Sequence, residues 1–404
     1  MPSEFARHWT LDPAIAFLNH GSYGAVARPV LAAQQAWRDR METEPVLFFS
    51  HDLEPALDAA RNELGAFVGA DPDDLAFVPN ATAGFNTVLR SLHFERGDEL
   101  LTTDQAYNAA KNAVEFVAQR DGARVVIAPV AFPTESPAQV AEAVLAAVTP
   151  HTRLALLDHI ASATALIFPV EPLVAELTAR GVETLIDGAH APGQVALDVA
   201  ALGATYYTAN LHKWVCAPKG SGFLWVRRDR QPEIRPLSIS HGANSPRTDR
   251  SRFRVEFDWT GTADQSAYLA VPDAIRFGAG LLPGGWLALR QRNHGLALAG
   301  RDLLCAALDI DSPAPDAMLG SMASVPLPEE SQPGQVQGID HYGDPLHDEL
   351  ARQGMQVMVT PWPQRPGNGP WCRLVRISAA AYNDLSQFER LAAALPTAVA
   401  AAAA

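Results

Sequence analysis

The segment Thr184-Leu185-Ile186-Asp187-Gly188-Ala189-His190 joins an apolar strand to a turn of small residues. It stands in a regular alternation of short apolar runs and amphipathic helices, which is typical of a mostly parallel sheet with helices on both faces. The strands predicted for this sheet are 75–78, 99–102, 124–128, 154–157, 183–186, 204–208 and 222–226. Because ligands bind at the carboxyl ends of such strands, the polar residues after each run are candidates for a functional site.

The pattern changes after Trp286, where the alternation of strands and helices becomes irregular. Helices are predicted at 29–41, 54–68, 138–148, 172–180, 286–308 and 385–400, strands at 323–326, 356–360 and 374–378, and a loop at 361–370. We therefore expect an α/β fold with a seven-stranded, mostly parallel sheet in a large domain, 19–285, and a smaller α+β domain, 286–396. Residues 1–18 are expected to pack on the small domain, and 397–404 to form an Ala-rich tail.

The composition excludes several classes of protein. With 404 residues and a formal net charge of −14, the chain lacks the basic character that binding to nucleic acid requires. Its three cysteines are odd in number and far apart, which fits a reducing cytoplasm better than a disulfide framework. The N-terminus has no apolar signal core, and no run approaches the roughly 20 apolar residues of a membrane span. We expect a soluble, cytoplasmic protein with no membrane partner.

Two of the strand ends carry polar residues that suit an anionic, nitrogen-containing ligand. Asn80-Ala81-Thr82 precedes a helix whose N-terminal amides would favour a phosphate, although such a segment is more often only a helix cap. Asp187 places a carboxylate at the edge of the sheet, where it could keep the ring nitrogen of pyridoxal 5′-phosphate (PLP) protonated. The same aspartate could equally cap the next helix or bind a metal together with His190.

A third segment supplies a lysine in an unusual setting. Lys213 stands in Asn210-Leu211-His212-Lys213-Trp214, next to the glycine-rich turn 217–222. Partial burial would lower its pKa and favour the neutral amine that forms an imine. A lone lysine is usually structural, but Asp187 and Lys213 lie 26 residues apart (213 − 187), which is one strand–helix–strand unit. The joint pattern favours a PLP site.

The chain resembles the class V aminotransferase family of fold-type I PLP enzymes, and most closely its isopenicillin-N-epimerase-like branch. The resemblance runs from Leu18-Asn19-His20-Gly21-Ser22-Tyr23-Gly24 to Arg376-Ile377-Ser378-Ala379-Ala380-Ala381-Tyr382-Asn383, which is nearly the whole chain. Its most specific motifs are Asp-Gly-Ala-His at 187–190 and Asn-Leu-His-Lys-Trp at 210–214. The resemblance implies a PLP cofactor, an amino-acid substrate and a homodimer with shared active sites.

The resemblance also implies roles for individual residues. Lys213 would carry the cofactor as a Schiff base and act as the main acid and base at the substrate Cα, with Asp187 paired to the ring nitrogen. His190 and Ser162, the latter in Asp158-His159-Ile160-Ala161-Ser162, would contact the phenolic oxygen, and Tyr107 would stack on the ring. The residues implied around the phosphate are Ala81, Thr82, Asn210, His212 and, from a second subunit, Thr262.

On the substrate side, the resemblance implies that Arg376 binds the α-carboxylate, which its planar guanidinium can hold through two parallel hydrogen bonds. Arg373 is the competing candidate. Asn19, His20 and Gly21 lie at the expected substrate entrance, although His20 could equally be a turn residue that supports the loop.

Two departures from family patterns matter. Relatives in the epimerase branch often carry Arg after Gly-Thr, where this chain has Ala263. The stretch 359–365 lacks the nucleophilic cysteine of the cysteine desulfurases, and Cys372 is expected to be a packed apolar residue, so persulfide chemistry is disfavoured.

Three reactions at Cα are compatible with this site. Epimerisation ranks first, followed by β-elimination, for example C–S cleavage of a cysteine conjugate or sulfoxide, and then transamination. A non-enzymatic binding protein would have lost Lys213 or Asp187, and both are present. A metal hydrolase built on Asp187, His190 and His212 would lack a third acidic or Cys ligand in these segments, so no metal is expected. The sequence names neither the substrate nor the pathway.

Overall fold

The computed structural model describes residues 3–328, 343–363 and 372–403. Its strands are β1 (Ala16–Phe17), β2 (Leu75–Val78), β3 (Glu99–Thr103), β4 (Arg124–Ala128), β5 (Thr152–Asp158), β6 (Glu183–Asp187), β7 (Tyr206–Asn210), β8 (Gly222–Val226), β9 (Met322–Pro326), β10 (Met355–Gln356), β11 (Met358–Trp362) and β12 (Cys372–Ser378). Its helices are α1 (Arg28–Thr43), α2 (Pro45–Leu47), α3 (Leu53–Val68), α4 (Ala81–Ser91), α5 (Asn108–Asp121), α6 (Pro137–Ala146), α7 (Val170–Ala179), α8 (Arg252–Phe257), α9 (Ser266–Leu269), α10 (Val271–Gly280), α11 (Gly285–Leu308), α12 (Pro345–Arg352) and α13 (Leu385–Ala403).

A seven-stranded sheet forms the centre of the molecule, in the order β2-β8-β7-β6-β5-β3-β4. Strand β8 runs antiparallel to β2 and β7, whereas the other neighbouring strands run parallel. Every residue of β7 and β8 is buried, as expected for strands covered on both faces, which read as continuous apolar runs rather than alternating ones. The predicted α/β fold with a mostly parallel sheet of seven strands is confirmed.

A smaller sheet lies in the C-terminal part of the chain. Strands β11, β12 and β9 form an antiparallel sheet in that order, while β1 pairs in parallel with β10. The single strand predicted at 356–360 is in fact two, because the chain leaves its pairing with β1 at Gln356 and begins to pair with β12 at Met358. The predicted loop 361–370 begins later than expected, since β11 continues to Trp362, and residues 364–370 lie outside the described residues.

The last helix is longer than predicted. Helix α13 runs to Ala403, beyond the expected end at residue 400, and so includes most of the stretch 397–404 that we expected to be a tail. Alanine has the highest helix propensity of all residues, so an Ala-rich end continues a helix that is already nucleated. The domain boundaries themselves remain predictions.

Helix α4 is held close to the centre of the sheet. Asn80 caps its N-terminus by accepting a hydrogen bond from the Ala83 N–H at 2.8 Å. A Cβ at Gly84 would overlap the Thr208 side chain, so glycine allows α4 to pack directly on β7. The first turn of α4 is thereby fixed at the carboxyl edge of the sheet.

Within the described residues, no helix combines the length and apolar character that a membrane crossing requires.

Candidate active site

Two adjoining cavities open at the carboxyl edge of the large sheet. The larger, of about 760 Å³, contains Asp187 and is called the Asp187 cavity; its lining also includes Asn80, Ala81, Thr82, Asp158, Ala189, His190, Asn210 and His212. The smaller, of about 480 Å³, is called the Arg376 cavity and is also lined by Gly21, Ala163, Met358 and Thr360. Both cavities share Ser22, Tyr23, Tyr107, Ser162 and Lys213. Lys213 therefore stands where the two cavities meet.

The amine of Lys213 is held in a state suited to forming an imine. Burial and, to a lesser degree, the positive charge of Arg376 lower its pKa to about 7, against the opposing effect of Asp187. Its Nζ lies 3.0 Å from Nε2 of His190. Near neutral pH a large fraction of the amine is therefore unprotonated and nucleophilic.

His190 is a neutral imidazole that orients this amine. Burial lowers its pKa well below the usual value, and the nearby charge of Lys213 acts in the same direction. The indole N–H of Trp214 can only donate, and it donates to Nδ1 of His190 at 3.4 Å. In the neutral ring the proton therefore resides on Nε2, which leaves the unprotonated Lys213 amine as the acceptor. His190 thus fixes the direction of the lysine lone pair.

Asp187 ends β6 as a buried carboxyl group with only 3% of its surface exposed. Burial raises its pKa, while the N–H of Ala189, donated to Oδ1 at 2.9 Å, and the charge of Lys213 favour the ionised form. A cationic ring nitrogen bound next to Asp187 would lower the pKa of this carboxyl group and so favour the carboxylate further.

The first turn of α4 provides a cradle for an anion. Oδ1 of Asn210 accepts the Ala81 N–H at 2.8 Å, which ties the helix N-terminus to the end of β7. Thr82 lines the cavity beside it, and His212 does so from the Lys213 loop, where its Nδ1 lies 3.0 Å from the Ser221 carbonyl oxygen. Burial lowers the pKa of His212 to about 4, so this imidazole is neutral. The helix dipole and the hydroxyl of Thr82 suit a phosphate group.

Arg376 and Arg373 occupy different environments. Arg376 lines its cavity with 2% of its surface exposed, and donates to the Ser162 carbonyl at 2.6 Å and the Ser22 hydroxyl at 2.8 Å. Arg373 instead forms an ion pair with Asp344 at 3.0 Å and lies outside both cavities. Of the two candidates, Arg376 is therefore the one positioned to meet a ligand.

The N-terminal loop contributes more residues than the sequence indicated. Gly21 lines the Arg376 cavity, and Asn19 accepts a hydrogen bond from Arg376 at 3.4 Å. The ring nitrogens of His20 instead lie 2.6 Å from the Tyr382 hydroxyl and 2.8 Å from the Lys213 carbonyl oxygen, which puts its imidazole behind the lysine. Ser22 and Tyr23 line both cavities, although the sequence analysis did not predict them as site residues. They could have been predicted, because they directly follow Gly21 at the expected substrate entrance.

Two further residues stand apart from this group. Thr262 is exposed and lies outside both cavities of its own chain. Asp158 lines the Asp187 cavity, although the sequence analysis assigned it no role of its own. Asp158 could have been predicted as a site residue, since it directly follows the predicted strand 154–157, just as Asp187 directly follows the next predicted strand, 183–186.

The residues of the Asp187 cavity fit PLP. An amine with a pKa of about 7 can bind the aldehyde, a buried carboxyl group can pair with the ring nitrogen, and the α4 N-terminus can hold the phosphate. The buried Oδ2 of Asp158 has no hydrogen-bond partner among the described residues, which is consistent with a cavity shaped for a further group.

Comparison with known proteins agrees with this chemistry. The chain is 38% identical to an isopenicillin N epimerase of Amycolatopsis lactamdurans, over 96% of both chains. It is 33% identical to a putative L-cysteine desulfhydrase 2 of Oryza sativa, over 96% of this chain and 85% of that protein. A solved structure of C-DES with glycine covalently linked to its PLP cofactor matches with a TM-score of 0.74 and 22% identity, over 94% and 96% of the two chains.

The family model for aminotransferase class-V matches residues 28–260, which include the lysine loop and the aspartate strand. The resemblance found in the sequence is thereby confirmed, and with it the dependence on PLP that characterises this family. The chain belongs to the aminotransferase class-V family of PLP-dependent enzymes.

Proposed function

We propose that this enzyme removes and returns the Cα proton of an amino-acid substrate, as an epimerase or racemase. The observation that carries the proposal is the placement of two proton-carrying side chains, Lys213 and Tyr107. Lys213 follows β7 and Tyr107 follows β3, while Asp187 at the end of β6 lies between them in the strand order. Both side chains line the Asp187 cavity. A group bound to Asp187 would therefore have a proton carrier on either side, as inversion at Cα requires.

The two proton carriers have separate roles. When bound, PLP withdraws electrons from the substrate Cα and makes its proton acidic. Lys213, with a pKa of about 7, is suited to accept that proton near neutral pH. Tyr107 would exchange a proton through its hydroxyl on the other side. Asp187 would keep the ring nitrogen protonated throughout.

The Arg376 cavity supports a substrate with a free α-carboxylate. Hydrogen bonds from Arg376 to Ser162 and Ser22 hold the guanidinium in place before any ligand binds. Apart from Arg376 and Lys213, the described residues that line this cavity are uncharged, among them Tyr23, Met358 and Thr360. This lining favours a substrate whose side chain is uncharged near Cα.

β-Elimination from a cysteine derivative is the second candidate. It is favoured by the 33% identity to the rice protein named putative L-cysteine desulfhydrase 2, which covers 96% of this chain. The Arg376 cavity also contains the phenolic hydroxyl of Tyr23, which could protonate a leaving thiolate.

One experiment separates these reactions. The PLP-loaded enzyme is incubated in D₂O with single enantiomers of amino acids, including cysteine conjugates. Recovery of both enantiomers with deuterium at Cα supports epimerisation, whereas release of pyruvate supports elimination. A 2-oxo acid that retains the side chain, formed without inversion, would instead make transamination the activity.

A Tyr107→Phe variant tests the two-sided arrangement. It should exchange the Cα proton of one enantiomer with solvent while inverting it at least about a hundredfold more slowly, because a positioned acid or base typically contributes that much or more. Inversion at the wild-type rate in this variant would exclude Tyr107 as the second proton carrier.

We further propose that the enzyme works as a homodimer with shared active sites. Thr262 lies outside the Asp187 and Arg376 cavities of its own chain, and Tyr23 lines both of them although 63% of its surface is exposed. The exposed Leu237 shares a third cavity, of about 890 Å³, with Thr260 and Ala263, and this cavity reaches α4 at Ala83. A second subunit placed here would cover apolar surface next to the phosphate cradle.

A further inference from the structure

A second carboxyl group stands next to Asp187 on the floor of the same cavity. Asp158 ends β5, Asp187 ends β6, and the two residues are direct partners in the parallel register of these strands. Their side chains are almost fully buried, with 2% and 3% of the surface exposed, and both line the Asp187 cavity. The cavity therefore has two carboxyl groups where one is enough to pair with a ring nitrogen.

The two oxygens of Asp158 have different surroundings. The carboxyl group accepts a hydrogen bond from the main-chain N–H of Tyr107, the residue at the N-terminal cap of α5. Its Oδ2 is buried but has no hydrogen-bond partner among the described residues. Burying an unpaired charged oxygen is costly, so this oxygen either carries a proton or awaits a bound group.

The neighbouring charges indicate which carboxyl group holds the proton. Burial raises the pKa of Asp158 well above its usual value, and the adjacent Asp187 raises it further, against the opposing effect of Lys111. Burial raises the pKa of Asp187 less far, against the Ala189 N–H and the charge of Lys213, which both favour its carboxylate. Two carboxyl groups this close do not both ionise readily, so the proton belongs on Asp158.

We propose that Asp158 is a positioning residue of the cofactor site, a protonated carboxyl group that anchors Tyr107 and leaves the negative charge on Asp187. In this state Asp158 presents an O–H beside Asp187, where a bound ring would be held, while its carbonyl oxygen keeps Tyr107 at the edge of the cavity. The inference rests on the cofactor placement described above, but on neither of the proposed reactions.

Two substitutions test this role in the absence of any substrate. Asp158→Asn retains an oxygen for the Tyr107 N–H and replaces the O–H with an N–H donor, whereas Asp158→Ala removes both. PLP is titrated into each apoenzyme, and its dissociation constant is measured together with the visible circular dichroism of the bound cofactor. We expect the Asn variant to match the wild type within about twofold, and the Ala variant to bind about tenfold more weakly with an altered dichroic band, as loss of a buried hydrogen bond implies.

Each alternative outcome is informative. An Ala variant with wild-type affinity and spectrum would show that Asp158 has no positioning role. An Asn variant as weak as the Ala variant would show that an ionised carboxylate is needed, which would overturn the protonated form. If the Ala variant fails to fold, Asp158→Leu replaces it under the same criteria.

Asp104→Asn is a matched control. Asp104 is also a partly buried aspartate, three residues before Tyr107, and it accepts the Val130 N–H at 3.0 Å, but it lies outside both cavities. Its substitution retains an oxygen for the Val130 N–H and should change neither the PLP dissociation constant nor the dichroic band. Failure of the wild type itself to bind PLP would count against the cofactor site as a whole, whereas differences among variants concern Asp158 alone.

Discussion

At the scale of single residues, the three lysines of the chain have different partners. Lys111 donates to the Asp104 carbonyl and Lys219 to the Gly24 carbonyl, at 3.0 and 2.7 Å, whereas Lys213 lines both cavities. Only an amine that is accessible and partly unprotonated can form an imine with PLP. The environment therefore selects Lys213 among three chemically identical side chains.

We expect borohydride reduction of the PLP-loaded enzyme to label Lys213 and no other lysine. Peptide mapping by mass spectrometry reads out the site directly. Lys213→Ala should lose the visible absorption band, while Lys219→Arg, which keeps a cation and a donor for the Gly24 carbonyl, should retain it. A label on Lys111 or Lys219 would refute the assignment.

The pKa of Lys213 predicts how PLP incorporation depends on pH. Because the ammonium form cannot attack an aldehyde, the rate of PLP uptake by the apoenzyme should rise through about pH 7, the pKa that burial and Arg376 impose. Replacing Arg376 with Gln removes a positive charge, so the midpoint should move to higher pH. Rapid-mixing absorbance measurements over pH 5.5 to 9.5 test both statements, and an unchanged midpoint in the variant would contradict the second.

At the scale of elements, the N-terminus of α4 has two separable functions. Asn80 stabilises the helix by capping it, and the same turn faces the cavity where the phosphate is expected. Asp caps helices about as well as Asn, but its charge would repel an anion. Capping and anion binding can therefore be changed independently at one position.

We expect Asn80→Asp to keep the melting temperature of the apoenzyme while weakening PLP binding by at least about tenfold, or about 1.4 kcal/mol. Asn80→Ser, a neutral cap, should retain both properties. Asn80→Ala should lower stability by about 1 kcal/mol through loss of the cap. Calorimetry and PLP titration provide the two readouts. Tight PLP binding by the Asp variant would place the phosphate elsewhere.

At the scale of the whole molecule, the proposed dimer accounts for apolar surface near the site. Leu237 is 48% exposed beside the cavity shared with Thr260 and Ala263, and Leu287, near the start of α11, is 61% exposed. Leu237→Glu should weaken dimerisation and PLP retention together, whereas Leu287→Glu should change neither. Sedimentation velocity measures the first property and gel filtration of the loaded enzyme the second. A monomeric wild type that retains PLP would refute the shared site.

The sequence determined the fold class, because strands that are buried on both faces consist of consecutive apolar residues, and such runs can be recognised locally. All seven predicted strands of the large sheet overlap the observed ones within two residues at each end, at 75–78, 99–102, 124–128, 154–157, 183–186, 204–208 and 222–226. Breaks set by a change of pairing partner, such as the one between β10 and β11, were missed because they depend on residues distant in sequence.

The sequence also determined the chemistry, since Asp187 and Lys213 are residue types that PLP requires, at strand ends where a sheet of this type builds its site. Only the tertiary structure separated Arg376 from Arg373, placed His20 behind Lys213, and brought Asp158 beside Asp187. These distinctions arise from register and from side-chain partners far apart in the chain. Residue identity fixes what a group can do, whereas burial and neighbouring charges fix its protonation and its direction.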